Sequence, residues 1–429
     1  MREQLIDVTK VSSLNQIQQE LQKNKNLSIL GVGGSLKLLL ALTCKKPVLY
    51  VAPNDSEAIN IYETLKKHKG LSVELLQPSP DITFYHKAQN NDRNISRIKT
   101  IFNLLNGNTT AVITSVEALF SYFPNKDRFK SAIFSLSVKD IIEIIDLKAK
   151  FVNAGYAPAD LVTMPGQFSV RGDIVDIFPV NEKFPSRIEF FDNFIESIKL
   201  FDPETQRSGE VKKDLTLCPC TNIYLTDDEI KLTIKKLERI KKTANLDPDE
   251  NVNLEGVTSE LIDKLSQNAK NFSMDFIFPL VEDTLSTIFD YLPNNTVLFF
   301  DECKLTYDNL LNIDKDIKER KKSALNSGLV LNTSTTGYLT KEKILKTIAS
   351  YNCATYQKLS NANRLFNPDA VISVRYAPVI KYSSNMNEFF NDIINWVSDG
   401  YKIFIYAGGE ENAKKLRSEE RRVGKECRS

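Results

Sequence analysis

The chain has 429 residues, enough for two or three domains that each bury a core. Its 42% hydrophobic and 26% charged content is that of a folded globular protein, and no apolar run approaches the roughly 20 residues of a bilayer-spanning helix. A formal net charge of +1 argues against a surface dedicated to coating nucleic acid, which would be strongly basic.

The first residues, MREQLIDVTK, lack the apolar core of a signal peptide, so the expected location is cytoplasmic. The cysteines are scattered, and Cys218-Pro219-Cys220 is too tight and too isolated to be half of a zinc site. They read as buried or free thiols in a reducing compartment.

From Leu27 to about Phe123, short apolar runs (LSILG, PVLYVAP, SVELL, TAVITS) alternate with helical patterns (SLKLLLALTCKK, SEAINIYETLKKH, NISRIKTIFNLLNG). Asn54 followed by Glu57 reads as a capping box for the second helix. Strands alternating with helices predict a parallel α/β sheet with right-handed crossovers. The first strand-to-helix loop, Gly31-Val32-Gly33-Gly34-Ser35-Leu36-Lys37-Leu38, is where such a sheet would hold a phosphate. Gly31 and Lys37 fit the pattern G-x-x-x-x-G-K-[ST]; Leu36 replaces its second glycine and Leu38 its magnesium-binding hydroxyl. The reading is a vestigial nucleotide site carrying Gly31, Gly34 and Lys37, with Lys37 a solvated helix residue.

Lys139 to Tyr156 reads as an amphipathic helix, with Ile141, Ile142, Ile144, Ile145 and Leu147 on its apolar face. Pro165 to Ser208 then reads as three antiparallel strands. Phe168, Val170, Ile174 and Phe178 share one parity of the first, Ile188 and Phe190 of the second, Ile198 and Leu200 of the third, with a hairpin at Asp192-Asn193. The opposite parity of the second strand carries Arg187, Glu189 and Phe191. Phe191 is there either as the anchor of a contact surface or as a ring packed under a neighbouring helix. Arg171-Gly172-Asp173 falls inside a predicted strand, which argues against an adhesion motif, and Gly172 marks a bulge or a close backbone approach.

Thr226-Asp227-Asp228-Glu229 reads as a capping box opening a helix through about Lys242. Its lysines form a solvated face opposite Leu232, Ile234, Leu237 and Ile240. Val297-Leu298-Phe299-Phe300-Asp301-Glu302 has the form of a buried strand delivering carboxylates Asp301 and Glu302 to a metal; without a hydroxyl at position 38 they read as structural relics. Beyond about Ser350, AVISVRYAPVI, MNEFFNDIINWVSDG and KIFIYAGG predict a further small α/β unit. The tail Arg417 to Ser429, RSEERRVGKECRS, looks like a translated sequencing adapter, implying a fragment whose gene continues past Leu416. Without the tail's five basic and three acidic residues, 51 Lys and Arg stand against 52 Asp and Glu, a formal charge of −1.

The segments RGDIVDIFP, RIEFFDNFIESI and FDPETQRS resemble a stretch shared by the nucleotide-excision-repair helicase UvrB and the Mfd-type transcription-repair coupling factors. The resemblance implies a degenerate helicase-like (P-loop/UvrB-like) parallel sheet, a small inserted α+β domain carrying the antiparallel meander, and a further small α/β unit. It implies boundaries at 1–132, 133–216, 217–345 and 346–416. The broken phosphate loop points to the Mfd branch, as does HKAQNNDRNISRIKT passing directly into a helix where UvrB grows a damage-probing hairpin. The alternative is a UvrB-type repair ATPase.

In this family the inserted domain docks UvrA, and the docking positions fall on Arg171, Arg187 and Phe191. The family's engagement of stalled RNA polymerase and of double-stranded DNA, and its use of ATP and Mg, are implied for C-terminal modules. No cofactor is expected for the residues read here.

Overall fold

The computed structural model describes residues 12–418 apart from 35, 39–40, 42–43, 45, 68–70, 80–90, 108, 222–224, 244–247, 267–276, 327–332, 334–335, 361, 376–381, 383–384, 402, 404, 406–410 and 413. The expected entry into the helix after Tyr85 lies mostly outside these residues, as does nearly all of the tail.

Strands β1 (Leu27–Leu30), β2 (Val48–Ala52), β3 (Val73–Leu76) and β4 (Ala111–Ser115) alternate with helices that include Asp55–Leu65 and Asn91–Leu105. The first of these helices is capped as expected, Asn54 Oδ1 accepting from the Glu57 N–H at 2.9 Å. After the short β5 (Tyr122–Phe123), β6 (Phe134–Ser137) leads into a second unit: β7 (Ala157–Pro158), β8 (Gln167–Arg171), β9 (Ile174–Ile177), β10 (Ser186–Phe191), β11 (Phe194–Phe201), β12 (Ser208–Lys212) and β13 (Asp214–Leu217). The chain then continues through β14 (Ser286–Thr287), β15 (Val297–Asp301), β16 (Asn352–Gln357) and β17 (Ala370–Ser373).

The main sheet is parallel, in the order β17-β1-β16-β15-β2-β4-β3. Its strands are apolar on both faces because both are covered. Leu49, Val51, Leu298 and Phe300 point into one core, while Val48, Tyr50, Val297 and Phe299 point into the other. The chain is therefore mixed α/β with a helicase-like parallel sheet. β15 takes its place between β2 and β16, so the sheet resumes after the second unit, as the apolar run before Asp301 implied. One expectation needs correcting. The segment beyond residue 346 does not begin a separate small unit, since β16 and β17 flank β1 within the main sheet. Their short runs carry no signal of which strand they pair with.

β6 and β13 pair antiparallel, Phe134 opposite Leu217 and Ser137 opposite Asp214, where the second unit leaves and rejoins the main body. Between them lies the sheet β12-β11-β10-β9-β8-β7. Leu147 and Phe151 of helix Ile144–Asn153 bury one face of it, against Phe168, Val175, Ile177, Ile188 and Phe190. That helix is shorter than the sequence suggests. Lys139, at φ +79°, turns the chain sharply, and Ile141 forms a bridge to Phe194 instead of a helical turn. Ile141 and Ile145 are exposed, not apolar-face residues.

The first predicted strand is in fact two, β8 and β9, joined at Gly172 (φ +60°), and Arg171-Gly172-Asp173 lies at that turn. A Cβ on Gly172 would meet nothing within 4 Å, so its glycine answers to the positive φ and not to a close approach. The break moves Val175 and Ile177 into the core in place of Ile174. In β11 a register shift opposite Glu189 and Phe190 breaks the period of two, so Ile195, Ile198 and Phe201 are buried while Leu200 is only half-buried. Helix Asp227–Thr243 forms behind Thr226 as expected, but Leu232 faces solvent. Among the described residues no helix is long and apolar enough to cross a membrane.

Candidate docking face and vestigial nucleotide loop

The face of the meander opposite its helix carries the three expected docking residues, and cross-strand pairing fixes their order. Arg187 stands opposite Asp176 and Lys199; Glu189 stands opposite Ile174 and Ser197; Phe191 stands opposite Phe194. Paired residues point to the same side of a sheet, so all of these share one face. At its centre is Asp176, whose side chain is 1% exposed. Its Oδ2 accepts from Arg171 Nη2 at 2.5 Å and from Arg187 Nη2 at 3.0 Å, and its Oδ1 accepts from Arg187 Nε at 2.8 Å.

The two arginines therefore differ in role. Arg187, 16% exposed, is held by both carboxylate oxygens and lies 4.9 Å from the Phe201 ring centroid. The hydrogen bond to Asp176 raises its already high pKa. Arg171 is 49% exposed and commits one nitrogen to Asp176, so the rest of its guanidinium faces outward. Beside them Glu189 accepts from Lys199 Nζ at 2.5 Å and Ser197 Oγ at 2.6 Å, and its carboxyl is held below the ordinary value chiefly by Lys199.

Phe191 is 65% exposed, which removes the reading that it packs beneath a helix. Its ring centroid lies 5.6 Å from that of Phe194. The face thus offers charge-assisted donors beside an exposed aromatic, the chemistry of a protein-contact surface. Sequence reasoning missed Asp176 and Phe194. Asp176 alternates with apolar residues on the charged parity of its strand, and that is the only mark it leaves in the sequence.

The loop read as a vestigial nucleotide site follows β1, at the C-terminal edge of the main sheet. Gly31 and Gly34 have φ of +75° and +55°. The Gly31 N–H donates to the Gln357 carbonyl at 2.8 Å, so this amide points into the sheet. A Cβ on Gly31 would lie 2.4 Å from the Val374 carbonyl oxygen. Lys37 is not the solvated residue expected: its Nζ donates to Asp301 Oδ2 at 2.5 Å, with side chains 20% and 4% exposed, because the buried carboxylate of β15 draws it in. The lysine that would face a phosphate therefore neutralises the carboxylate that would face a metal. Burial, then the charge of Asp301, pushes the nearby Tyr50 hydroxyl well above its ordinary pKa. Glu302 turns away at φ +49°, its Oε1 accepting from the Lys358 N–H at 3.3 Å.

Residues 134–223 match the UvrB interaction domain, and all three docking positions fall within that match. Over a much longer span, the transcription-repair-coupling factor of Bacillus subtilis (strain 168) is 24% identical across 416 residues, 92% of this chain and 34% of the relative. The chain is an Mfd/UvrB-like region. The coupling factor of Myxococcus xanthus is 32% identical over 214 residues, 48% of this chain and 17% of its own. UvrABC system protein B of Thermotoga maritima is 23% identical over 333 residues, 71% of this chain and 50% of its own. The Mfd/UvrB-like region thus spans about a third of the length of the Bacillus coupling factor.

Proposed function

We propose that the chain is a UvrA-docking module of a transcription-repair coupling factor, recruiting UvrA to sites where RNA polymerase has stalled on damaged DNA. The observation that carries this reading is the coincidence of the UvrB interaction domain match with an exposed Phe191 beside Arg171 and Arg187. Arg171 pairs with a carboxylate of UvrA through its outward nitrogens, and Phe191 fills an apolar pocket on it. Arg187 acts chiefly by holding Asp176, which in turn fixes Arg171. RNA polymerase, double-stranded DNA and the ATP and Mg of the motor are assigned to other modules of the family.

The Lys37–Asp301 pair supports a non-hydrolytic role over the UvrB-type ATPase reading, because binding a phosphate at Lys37 requires breaking it. A pull-down of UvrA tests the docking claim. Arg171→Ala and Phe191→Ala, both at exposed positions, should lose UvrA while melting at the parent temperature. Retention of UvrA by both variants overturns it.

A further inference from the structure

We infer that the docking face continues past Phe191 as an apolar row, Phe191–Phe194–Ile141, which receives an apolar ridge of UvrA. This rests on the docking reading above and extends it to residues outside the arginine cluster. Phe191 pairs with Phe194 across the β10–β11 hairpin, and Phe194 forms an antiparallel bridge with Ile141. The row therefore crosses three backbone segments on the arginine side of the sheet.

Backbone hydrogen bonds hold the outer segment in place. The Lys139 N–H donates to the Ile195 carbonyl at 2.8 Å, Ile195 N–H to the Asp140 carbonyl at 2.9 Å, and Ile142 N–H to the Asn193 carbonyl at 2.8 Å. Ile142, of opposite parity, packs against the core, which leaves Ile141 77% exposed on the face that carries Phe191, itself 65% exposed. Ile174, 38% exposed on the same face, extends the apolar surface towards Arg171. Single exposed apolar residues are ordinary; a row held by pairing and continuous with a charged cluster is the pattern of an interface.

Charge specifies the ligand. Arg187 is committed to Asp176 and Lys199 to Glu189, whereas Arg171, 49% exposed, keeps outward nitrogens for a ligand. The complementary ridge therefore carries a carboxylate towards Arg171.

Calorimetric titration of UvrA with the whole chain tests the row. Ile141→Ser should weaken binding about tenfold, the effect of removing a buried isoleucine side chain. Leu232→Ser, also exposed but on helix Asp227–Thr243, should bind as the parent does. On addition of UvrA the parent's amides over residues 139–145 should also gain protection from hydrogen exchange, a measurement that needs no variant. If the parent does not bind UvrA, the docking reading itself fails. If the parent binds and Phe191→Ala weakens it, but Ile141→Ser binds normally and residues 139–145 gain no protection, the extended row alone fails. Self-association of the parent that Ile141→Ser abolishes would overturn UvrA as the occupant in favour of a second copy.

Discussion

Asp176→Asn should loosen the whole docking face while leaving its volume unchanged. Asp176 is 1% exposed and accepts three hydrogen bonds, from Arg171 at 2.5 Å and from Arg187 at 2.8 and 3.0 Å. An asparagine keeps one carbonyl oxygen and turns an NH2 towards a guanidinium, so at least one bond is lost and two like charges lose their counter-ion. Removing one partner of a buried pair costs about 3–5 kcal/mol. Arg171 is half exposed, and its share is closer to that of a surface pair, under about 1 kcal/mol. Arg187 carries most of the effect, for a total of about 3 kcal/mol. At 1.4 kcal/mol per factor of ten, local opening becomes roughly a hundredfold more frequent. Hydrogen exchange should show that acceleration at the amides of Val175, Ile177 and Ile188, with those of Leu49 and Val51 in the main sheet unchanged. Acceleration of less than about threefold, on that same scale of cost, would refute the assignment of Asp176 as the organising charge.

Lys37→Met leaves Asp301, 4% exposed, without its ion-pair partner; at about 3 kcal/mol it should lower the melting temperature by roughly 3–5 °C. Adding Asp301→Asn should recover part of the loss, and UvrA binding should not change; an unaltered melting temperature in the single variant contradicts the structural role. The capping box at Thr226 gives a pH dependence. Arg128 donates to both Glu229 carboxylate oxygens at 2.8 Å and, with the Thr226 N–H and hydroxyl, lowers the Glu229 pKa to about 2. Its contribution is present above the ordinary carboxylate value of 4.5 and is lost as pH falls through about 2. Arg128→Ala should therefore cost about 1 kcal/mol at pH 6, after solvent screening, and progressively less below pH 4. A cost that does not change with pH contradicts this.

The parallel sheet was legible because its strands are short apolar runs flanked by helical patterns, and Asn54 and Thr226 announce their helices by local chemistry alone. The docking face was legible in β10, where strict alternation separates Ile188 and Phe190 from Arg187, Glu189 and Phe191. It was not legible where the backbone breaks its period. Gly172 turns one predicted strand into two, the shift opposite Glu189 and Phe190 changes which β11 residues are buried, and a positive φ at Lys139 sends Ile141 to Phe194 instead of into a helix. Asp176 escaped notice because its importance lies in two arginines that reach it from different strands. The pairing of β16 and β17 with β1 was hidden for the same reason, being a contact between segments more than 300 residues apart in sequence.

Phe191 and Arg171 are the residues proposed to touch UvrA, with Arg187 holding Asp176 behind them. The most direct measurement is the dissociation constant of UvrA for the whole chain against that for Phe191→Ala. Phe191 is 65% exposed, so its truncation leaves the fold intact. Loss of a central aromatic anchor costs on the order of 2 kcal/mol, a roughly thirtyfold weaker complex. That loss, at an unchanged melting temperature, is the expected result; a dissociation constant equal to the parent's would contradict the account.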